Sequence, residues 1–323
     1  MPAKAKPHIV YPDAGDDARD ILIGERLKRL TDAGDFDVHY GRPENNEQYL
    51  ERIQNSAAIL LGWDLPAEVM EQTSVLQVVS FTGIGVAKFV DLELAKTKGI
   101  TVCNCPGYSD NTVAEHALAL TLAAARQIPK LDKAMRDGEW APSMGMELSG
   151  KQLGLIGFGG IAVRFAKMAK ALGMKVVVWT RNPSDERAAR HGVEFLPLEE
   201  VLATSDVVSV HLASNDATRG FVNRTCFEQL NGEAIFINTA RGEVIDEQAL
   251  IDTLAEGKIR GAGIDVFAEE PLPAGHPLTA LDNVVLSPHV AYSTPEAEAA
   301  LFDIGIDNIV KYFEGNPINV VTV

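Results

Sequence analysis

Short unbroken apolar runs alternate with longer amphipathic stretches along most of the chain. Residues 8–11, 37–40, 57–62 and 76–80 read as strands, and residues 18–33, 46–54 and 66–72 between them read as helices. A run of apolar residues without polar alternation marks a strand covered on both faces, so regular βα alternation predicts a parallel sheet between helical layers. Ligands of such sheets bind at the carboxyl ends of the strands. That directs attention to Phe81-Thr82-Gly83-Ile84-Gly85, a loop that follows a strand and whose backbone N–H groups are expected to be open to a carboxylate.

Residues 111–126 form an Ala/Leu-rich helix, with Asn111 or Thr112 as its cap and Glu115 in its first turn. A helix apolar on all sides is expected to be buried at a domain or subunit junction, and His116 reads there as a core or interface histidine. A looser polar segment, 136–150, leads into the stretch that organises the rest. Leu153-Gly154-Leu155-Ile156 is a strand, Gly157-Phe158-Gly159-Gly160-Ile161-Ala162 a glycine turn, 163–172 a helix and 175–179 a second strand. This is the βαβ unit that cradles a dinucleotide. Gly157 permits the tight turn, Gly159 lets backbone approach a pyrophosphate, and Ala162 is small enough for the helix to pack on the strand. The N-terminal N–H groups and the helix dipole then favour phosphate.

A carboxylate about twenty residues further on would grip the ribose 2′-hydroxyl of NAD. This second strand ends instead in Trp179-Thr180-Arg181-Asn182, with no acid. Thr180 can donate to a 2′-phosphate and Arg181 can neutralise it, so NADP is the expected cofactor, with NAD as the alternative.

Four more strands follow, at 206–212, 234–238, 261–267 and 283–287. Their ends deliver Thr239-Ala240-Arg241-Gly242, then Glu269-Glu270-Pro271, then Pro288-His289 toward the rim that carries the glycine turn. These groups suit reduction of a keto acid by hydride. An imidazole changes charge in the physiological range, so His289 suits proton donation to a developing alkoxide. Glu270 would fix its tautomer, and Arg241 could hold a substrate carboxylate through two parallel bonds. Asp265 could accept from a nicotinamide carboxamide.

Composition narrows the class. With 46% hydrophobic residues, 323 residues can bury one large or two medium cores. No run of eighteen apolar residues occurs and the N-terminus lacks a signal-peptide core, so a cytoplasmic, non-exported protein is expected, off the membrane. A net charge of −16 argues against nucleic acid and acidic membranes as partners. Cys103, Cys105 and Cys226 are too few for a disulfide framework and lack metal-ligand company, so no metal site is expected.

The chain resembles the D-isomer-specific 2-hydroxyacid dehydrogenase family over nearly its whole length. The resemblance is carried by Gly99-Ile100 to Asn104-Cys105-Pro106-Gly107, Val113-Ala114-Glu115-His116, the glycine turn, Asn238-Thr239-Ala240-Arg241-Gly242, Asp265-Val266-Phe267-Ala268-Glu269-Glu270-Pro271 and Pro288-His289. It implies two doubly wound parallel-sheet domains. One is a flavodoxin-like substrate domain of residues 1–106 and 295–323, the other an NAD(P)-binding Rossmann domain of residues 107–294. It implies Arg241, Glu270 and His289 as the catalytic set. The cofactor would be held by Gly157, Phe158, Gly159, Gly160, Ile161, Thr180, Arg181, Asn182, His211, Thr239, Ala240, Asp265 and Thr112. The substrate would meet Thr82, Gly83, Ile84 and Trp63. A homodimer is the expected assembly. The reaction implied is NAD(P)-dependent reduction of a small 2-keto acid such as glyoxylate or hydroxypyruvate to its D-2-hydroxy acid. Phosphoglycerate enzymes of the family carry an arginine after the strand that ends here at Leu61. Gly62-Trp63 stands in its place, which disfavours a phosphorylated substrate. A phosphoglycerate dehydrogenase-like enzyme, or a dinucleotide-sensing scaffold without catalysis, are the alternatives.

Overall fold

The computed structural model describes residues 6–321. The chain divides into two compact units, Met1–Tyr108 with Thr294–Val323, and Ser109–Ser293.

The first unit is built on strands β1 (His8–Ala14), β2 (Asp35–Tyr40), β3 (Ala58–Leu61), β4 (Val78–Phe81) and β5 (Thr101–Cys103). They form one parallel sheet in the order β2-β1-β3-β4-β5, the flavodoxin-like arrangement. Alternate residues feed opposite faces, as strand geometry requires. Val10, Ile59, Leu61 and Val79 face one core; Ile9, Ala58, Leu60 and Val78 face the other. The single helix expected over 18–33 is two, α1 (Ala18–Ile21) and α2 (Gly24–Ala33). Gly24 at φ +55° interrupts the repeat, in a conformation that side chains with a Cβ rarely adopt. Helices α3 (Asn46–Ile53), α4 (Ala67–Gln72) and α5 (Leu92–Thr97) complete the βα series. Asn45 caps α3 by accepting from Gln48 N–H. The apparent strand through Cys103 and Cys105 ends at Cys103.

The second unit opens with α6 (Asp110–Arg126) and α7 (Ile128–Arg136). Ser109 takes the N-cap position of α6 and makes no side-chain capping bond; Asn111 instead donates to Glu115 Oε1 at 2.6 Å. The expected cap at Asn111 or Thr112 is therefore displaced to Ser109, and Asp110 follows in the first turn, where the helix dipole favours an acid. Nor is α6 buried all round: Val113, Ala114, Ala117, Leu120 and Ala124 face the core, whereas Leu122 is 40% exposed. Helix α7 is an element that the reading of the chain leaves unassigned.

Strands β6 (Gln152–Ile156), β7 (Lys175–Trp179), β8 (Glu194–Phe195), β9 (Val207–Val210), β10 (Ile235–Asn238), β11 (Gly261–Ile264) and β12 (Val284–Leu286) form a seven-stranded parallel sheet. Its order, β12-β11-β10-β9-β6-β7-β8, reverses between β6 and β9, as in a Rossmann fold. Helices α8 (Gly160–Ala171), α9 (Asp185–His191), α10 (Leu198–Thr204), α11 (Arg224–Glu228) and α12 (Glu247–Ala255) join the strands. Helix α8 starts three residues earlier than its apolar period suggests, directly on the glycine turn. Phe165 of α8 is fully buried, which contributes about 1.5–3 kcal/mol of the drive that docks this helix. Gly263 lets α6 lie close on β11, since a Cβ there would stand 2.8 Å from Leu120 Cβ. After this unit, α13 (Pro295–Phe313) returns to the first, where Phe302, Ile306 and Ile309 join its core.

Candidate active site

The parallel register brings six strand ends of the second unit into one row. Trp179 pairs with Ile156, Ile156 with Val210, Val210 with Asn238, Asn238 with Ile264 and Ile264 with Leu286. Every candidate residue of this unit except Thr112 lies within six residues past one of these ends.

The glycine turn shows three different demands. Gly157 has φ +97°, and a Cβ would stand 2.4 Å from His211 O, so only glycine fits. At Gly159 a Cβ would meet no protein atom within 4 Å; packing of the chain does not call for glycine there. At Gly160 a Cβ would stand 1.8 Å from Asp110 Oδ2. Asp110 thus sets its carboxylate beside the first turn of α8. Burial raises its pKa, opposed by the charge of Arg164. Ala162 is fully buried, as the small third position of such a turn requires. Phe158 is 6% exposed and packs edge-on against Phe195; Ile161 lies partly buried against the same core.

Beyond β7, Thr180 is half-buried and Arg181 and Asn182 are exposed. Arg187 of α9, which the sequence reading passes over, spans the two loops. It donates to Phe158 O at 2.7 Å and to Asn182 O at 3.0 Å, with its guanidinium 5.5 Å from the Phe158 ring centroid. His211 turns inward to Ser209 Oγ at 2.9 Å and meets the Phe165 ring edge-on. Burial pushes its pKa down to about 4, so the imidazole is neutral.

Asn238, fully buried, shapes the loop after β10: its Oδ1 accepts from Ala240 N–H at 3.0 Å and its Nδ2 donates to Arg241 O at 3.1 Å. Thr239 is 6% exposed and its Oγ1 has no hydrogen-bond partner in the protein. Arg241 donates to Ala240 O at 2.6 Å and forms no ion pair among the described residues. The next residue brings this loop against the one after β11, because a Cβ on Gly242 would stand 1.9 Å from Phe267 O.

Glu270 and His289 meet directly. Glu270 Oε2 lies 2.7 Å from His289 Nδ1, and Glu270 Oε1 accepts from Phe267 N–H at 2.9 Å. Both side chains are about one-third exposed. His289 has φ +53°, a strained value for histidine. Asp265 holds it there: its backbone carbonyl accepts from His289 N–H at 2.7 Å. Its carboxylate accepts from Val290 N–H at 3.0 Å, Ala291 N–H at 2.9 Å and Ser287 Oγ at 2.6 Å. Burial pushes this carboxyl up, but hydrogen bonds from His116, Ser287, Val290 and Ala291 outweigh it and hold the pKa below the usual range. His116 Nε2 is 2.9 Å from Ser287 Oγ, so this histidine belongs to the support of His289. The only signal for that in the sequence is its place in the Val-Ala-Glu-His motif.

In the first unit, Thr82 N–H and Oγ1 both bond to Leu61 O, at 2.8 and 3.0 Å, and Gly83 N–H bonds to Phe81 O at 2.9 Å. The donors expected of this loop therefore narrow to the amides of Ile84 and Gly85. Ile84 is 44% and Trp63 45% exposed. No cluster of metal-ligating side chains occurs among the described residues, and no helix there is long and apolar enough to cross a membrane.

The cradle fits a dinucleotide. It has a glycine at a positive φ, a second glycine that internal packing does not require, and a buried threonine hydroxyl without a partner. With the strand order, these features define the dinucleotide-binding class of α/β proteins. A family model described as "D-isomer specific 2-hydroxyacid dehydrogenase, NAD binding domain" matches residues 118–291. The chain belongs to the D-isomer specific 2-hydroxyacid dehydrogenases, a family of oxidoreductases. It is 39% identical to a D-3-phosphoglycerate dehydrogenase of Archaeoglobus fulgidus, over 85% of this chain and 53% of that one. It is 36% identical to a glyoxylate reductase of Aeropyrum pernix, over 92% and 91%. It thus spans about half the length of the first of these relatives and most of the second. Among solved structures, an acyclic imino acid reductase in complex with NADPH and D-Arg superposes with a TM-score of 0.84 at 30% identity, over 98% and 100% of the two chains.

Proposed function

We propose that the protein reduces small 2-keto acids, of the glyoxylate or hydroxypyruvate type, to D-2-hydroxy acids, with NADPH preferred over NADH. The contact that carries this reading is Glu270 Oε2 to His289 Nδ1 at 2.7 Å, a carboxylate that fixes an imidazole with Nε2 as the other ring nitrogen.

When bound, the nicotinamide supplies the hydride. The residues of the chain do the rest. His289 delivers a proton from Nε2 to the keto oxygen as charge develops there. Glu270 holds the ring in one orientation through Nδ1. Arg241, which forms no ion pair among the described residues, receives the substrate carboxylate through its guanidinium fork and polarises the adjacent carbonyl. The amides of Ile84 and Gly85 offer further donors. Gly157, Gly159 and the first turn of α8 hold the pyrophosphate, and Thr239 Oγ1 is available to a polar group of the cofactor. Thr180, Arg181 and Asn182, without an acid among them, suit a 2′-phosphate.

A homodimer is part of this reading. Ile128, Met135, Trp140 and Met144 are each more than half exposed within one short segment, an apolar surface that a second copy would cover. Sedimentation at micromolar concentration should give twice the chain mass, and a monomer would remove this part. The chemistry is tested by chiral analysis of the product from hydroxypyruvate: D-glycerate is expected, and L-glycerate or a racemate would overturn the assignment.

A further inference from the structure

Helices α6 and α8 lie against each other through small side chains. Ala114 and Ala117 of α6 share one core with Ala162, Phe165 and Ala166 of α8. Asp110, Ala114 and Ala117 are spaced i, i+4 and i+7, so they fall on one face of α6. That face carries Asp110 to the first turn of α8, where Gly160 leaves room for it: a Cβ there would stand 2.6 Å from Asp110 Cγ. Gly160 opens α8 without a positive φ, so its backbone does not call for glycine. The three atoms nearest that Cβ all belong to the Asp110 carboxyl group. The demand for glycine comes from the acid.

Free N–H groups and the helix dipole stabilise an anion at a helix N-terminus. Helix α8 has no acid in its own first turn. Asp110 supplies one from α6, where it also stands in the first turn. It is half-buried. Burial raises its pKa, and the charge of Arg164, one turn along α8, opposes the rise. On α6 the next acid, Glu115, is engaged with Asn111 Nδ2 at 2.6 Å. A pyrophosphate seated at the glycine turn brings its own negative charge to the same end of α8. Two anions then share one helix terminus. The carboxylate is the one that yields, because it takes up a proton while the phosphates stay ionised.

We propose that Asp110 sets the affinity of the glycine turn for pyrophosphate, opposing it as a carboxylate and admitting it as a carboxylic acid. Dinucleotide and proton then bind cooperatively, each raising the affinity for the other. This rests on the seat given to the pyrophosphate above and adds a residue outside the catalytic set. Calorimetric titration with NAD+ tests it, since NAD+ lacks the 2′-phosphate, a group that itself titrates near a pH of about 6. In the wild type, Kd should rise between about pH 5 and 8, with a proton taken up on binding. In Asp110→Asn, which keeps the shape and removes the charge, Kd at the upper end should be at least about threefold lower. Its pH dependence should also flatten. Asp110→Ser, smaller and neutral, should behave alike, which separates charge from shape and serves if the first variant does not fold. Equal Kd values and pH profiles in wild type and variants would overturn the role of Asp110 and leave the pyrophosphate seat. Weaker binding in both variants would also overturn it, by making the carboxylate a contact for the ligand. NAD+ bound by neither the wild type nor the variants at any pH removes the seat and the role together.

Discussion

Glu270 and His289 come from the ends of adjacent strands and meet at 2.7 Å between Oε2 and Nδ1, while Phe267 N–H steadies the other carboxylate oxygen. In the proposed mechanism, proton donation is lost with the imidazole. His289→Ala should lower kcat by about 10²- to 10⁴-fold and leave the Kd for dinucleotide within a few-fold by fluorescence titration. Near wild-type kcat would assign proton donation to another group.

The glycine turn separates folding from binding. Gly157→Ala places a Cβ 2.4 Å from His211 O at a positive φ, so both stability and dinucleotide affinity should drop. Gly159→Ala meets no protein atom within 4 Å. It should unfold in urea within about 1 kcal/mol of wild type, yet bind dinucleotide at least tenfold more weakly. Unchanged affinity in Gly159→Ala would show that no ligand backbone passes there.

Arg181 and Arg187 should behave differently. Arg181 is exposed in the loop after β7, and its loss should raise the KM for NADPH while leaving that for NADH nearly fixed. Arg187 bonds to Phe158 O and Asn182 O, so Arg187→Ala should release both loops and raise both KM values. Equal effects of Arg181→Ala on the two cofactors would remove it from the 2′-phosphate.

Asp13 should titrate late. Burial pushes its carboxyl up to about 6, against hydrogen bonds from the amides of Gly62 and Trp63 that favour the charged form. The native state then holds this proton more tightly than the unfolded chain, where the pKa is about 3.9. Its contribution to stability is therefore fully present below the unfolded value and is lost as pH rises toward about 6. Carboxyl-carbon NMR should give a midpoint near 6, and a midpoint near 4 would contradict the burial account.

What the sequence made legible follows from range. The βα alternation and the glycine turn are written in consecutive residues, so the period and the turn chemistry reveal them. The break at Gly24 depends on one backbone angle inside a good helical pattern. Helix α7 leaves Ile128 and Met135 exposed, so it lacks the buried face that marks a helix. The supporting side chains were harder still. His116 reaches Ser287 across 171 residues and Arg187 reaches Phe158 across 29. The Arg42 guanidinium lies over the Trp63 ring only because β2 and β3 flank β1. Such pairings are products of the sheet order and leave no local trace.

The most direct test of the proposed activity is the initial rate of NADPH and, separately, NADH oxidation with glyoxylate and hydroxypyruvate, followed by absorbance of the reduced nicotinamide. Rapid loss of NADPH, slower loss of NADH and none without keto acid is the predicted result. No oxidation of either cofactor with either acid would contradict the proposed reaction.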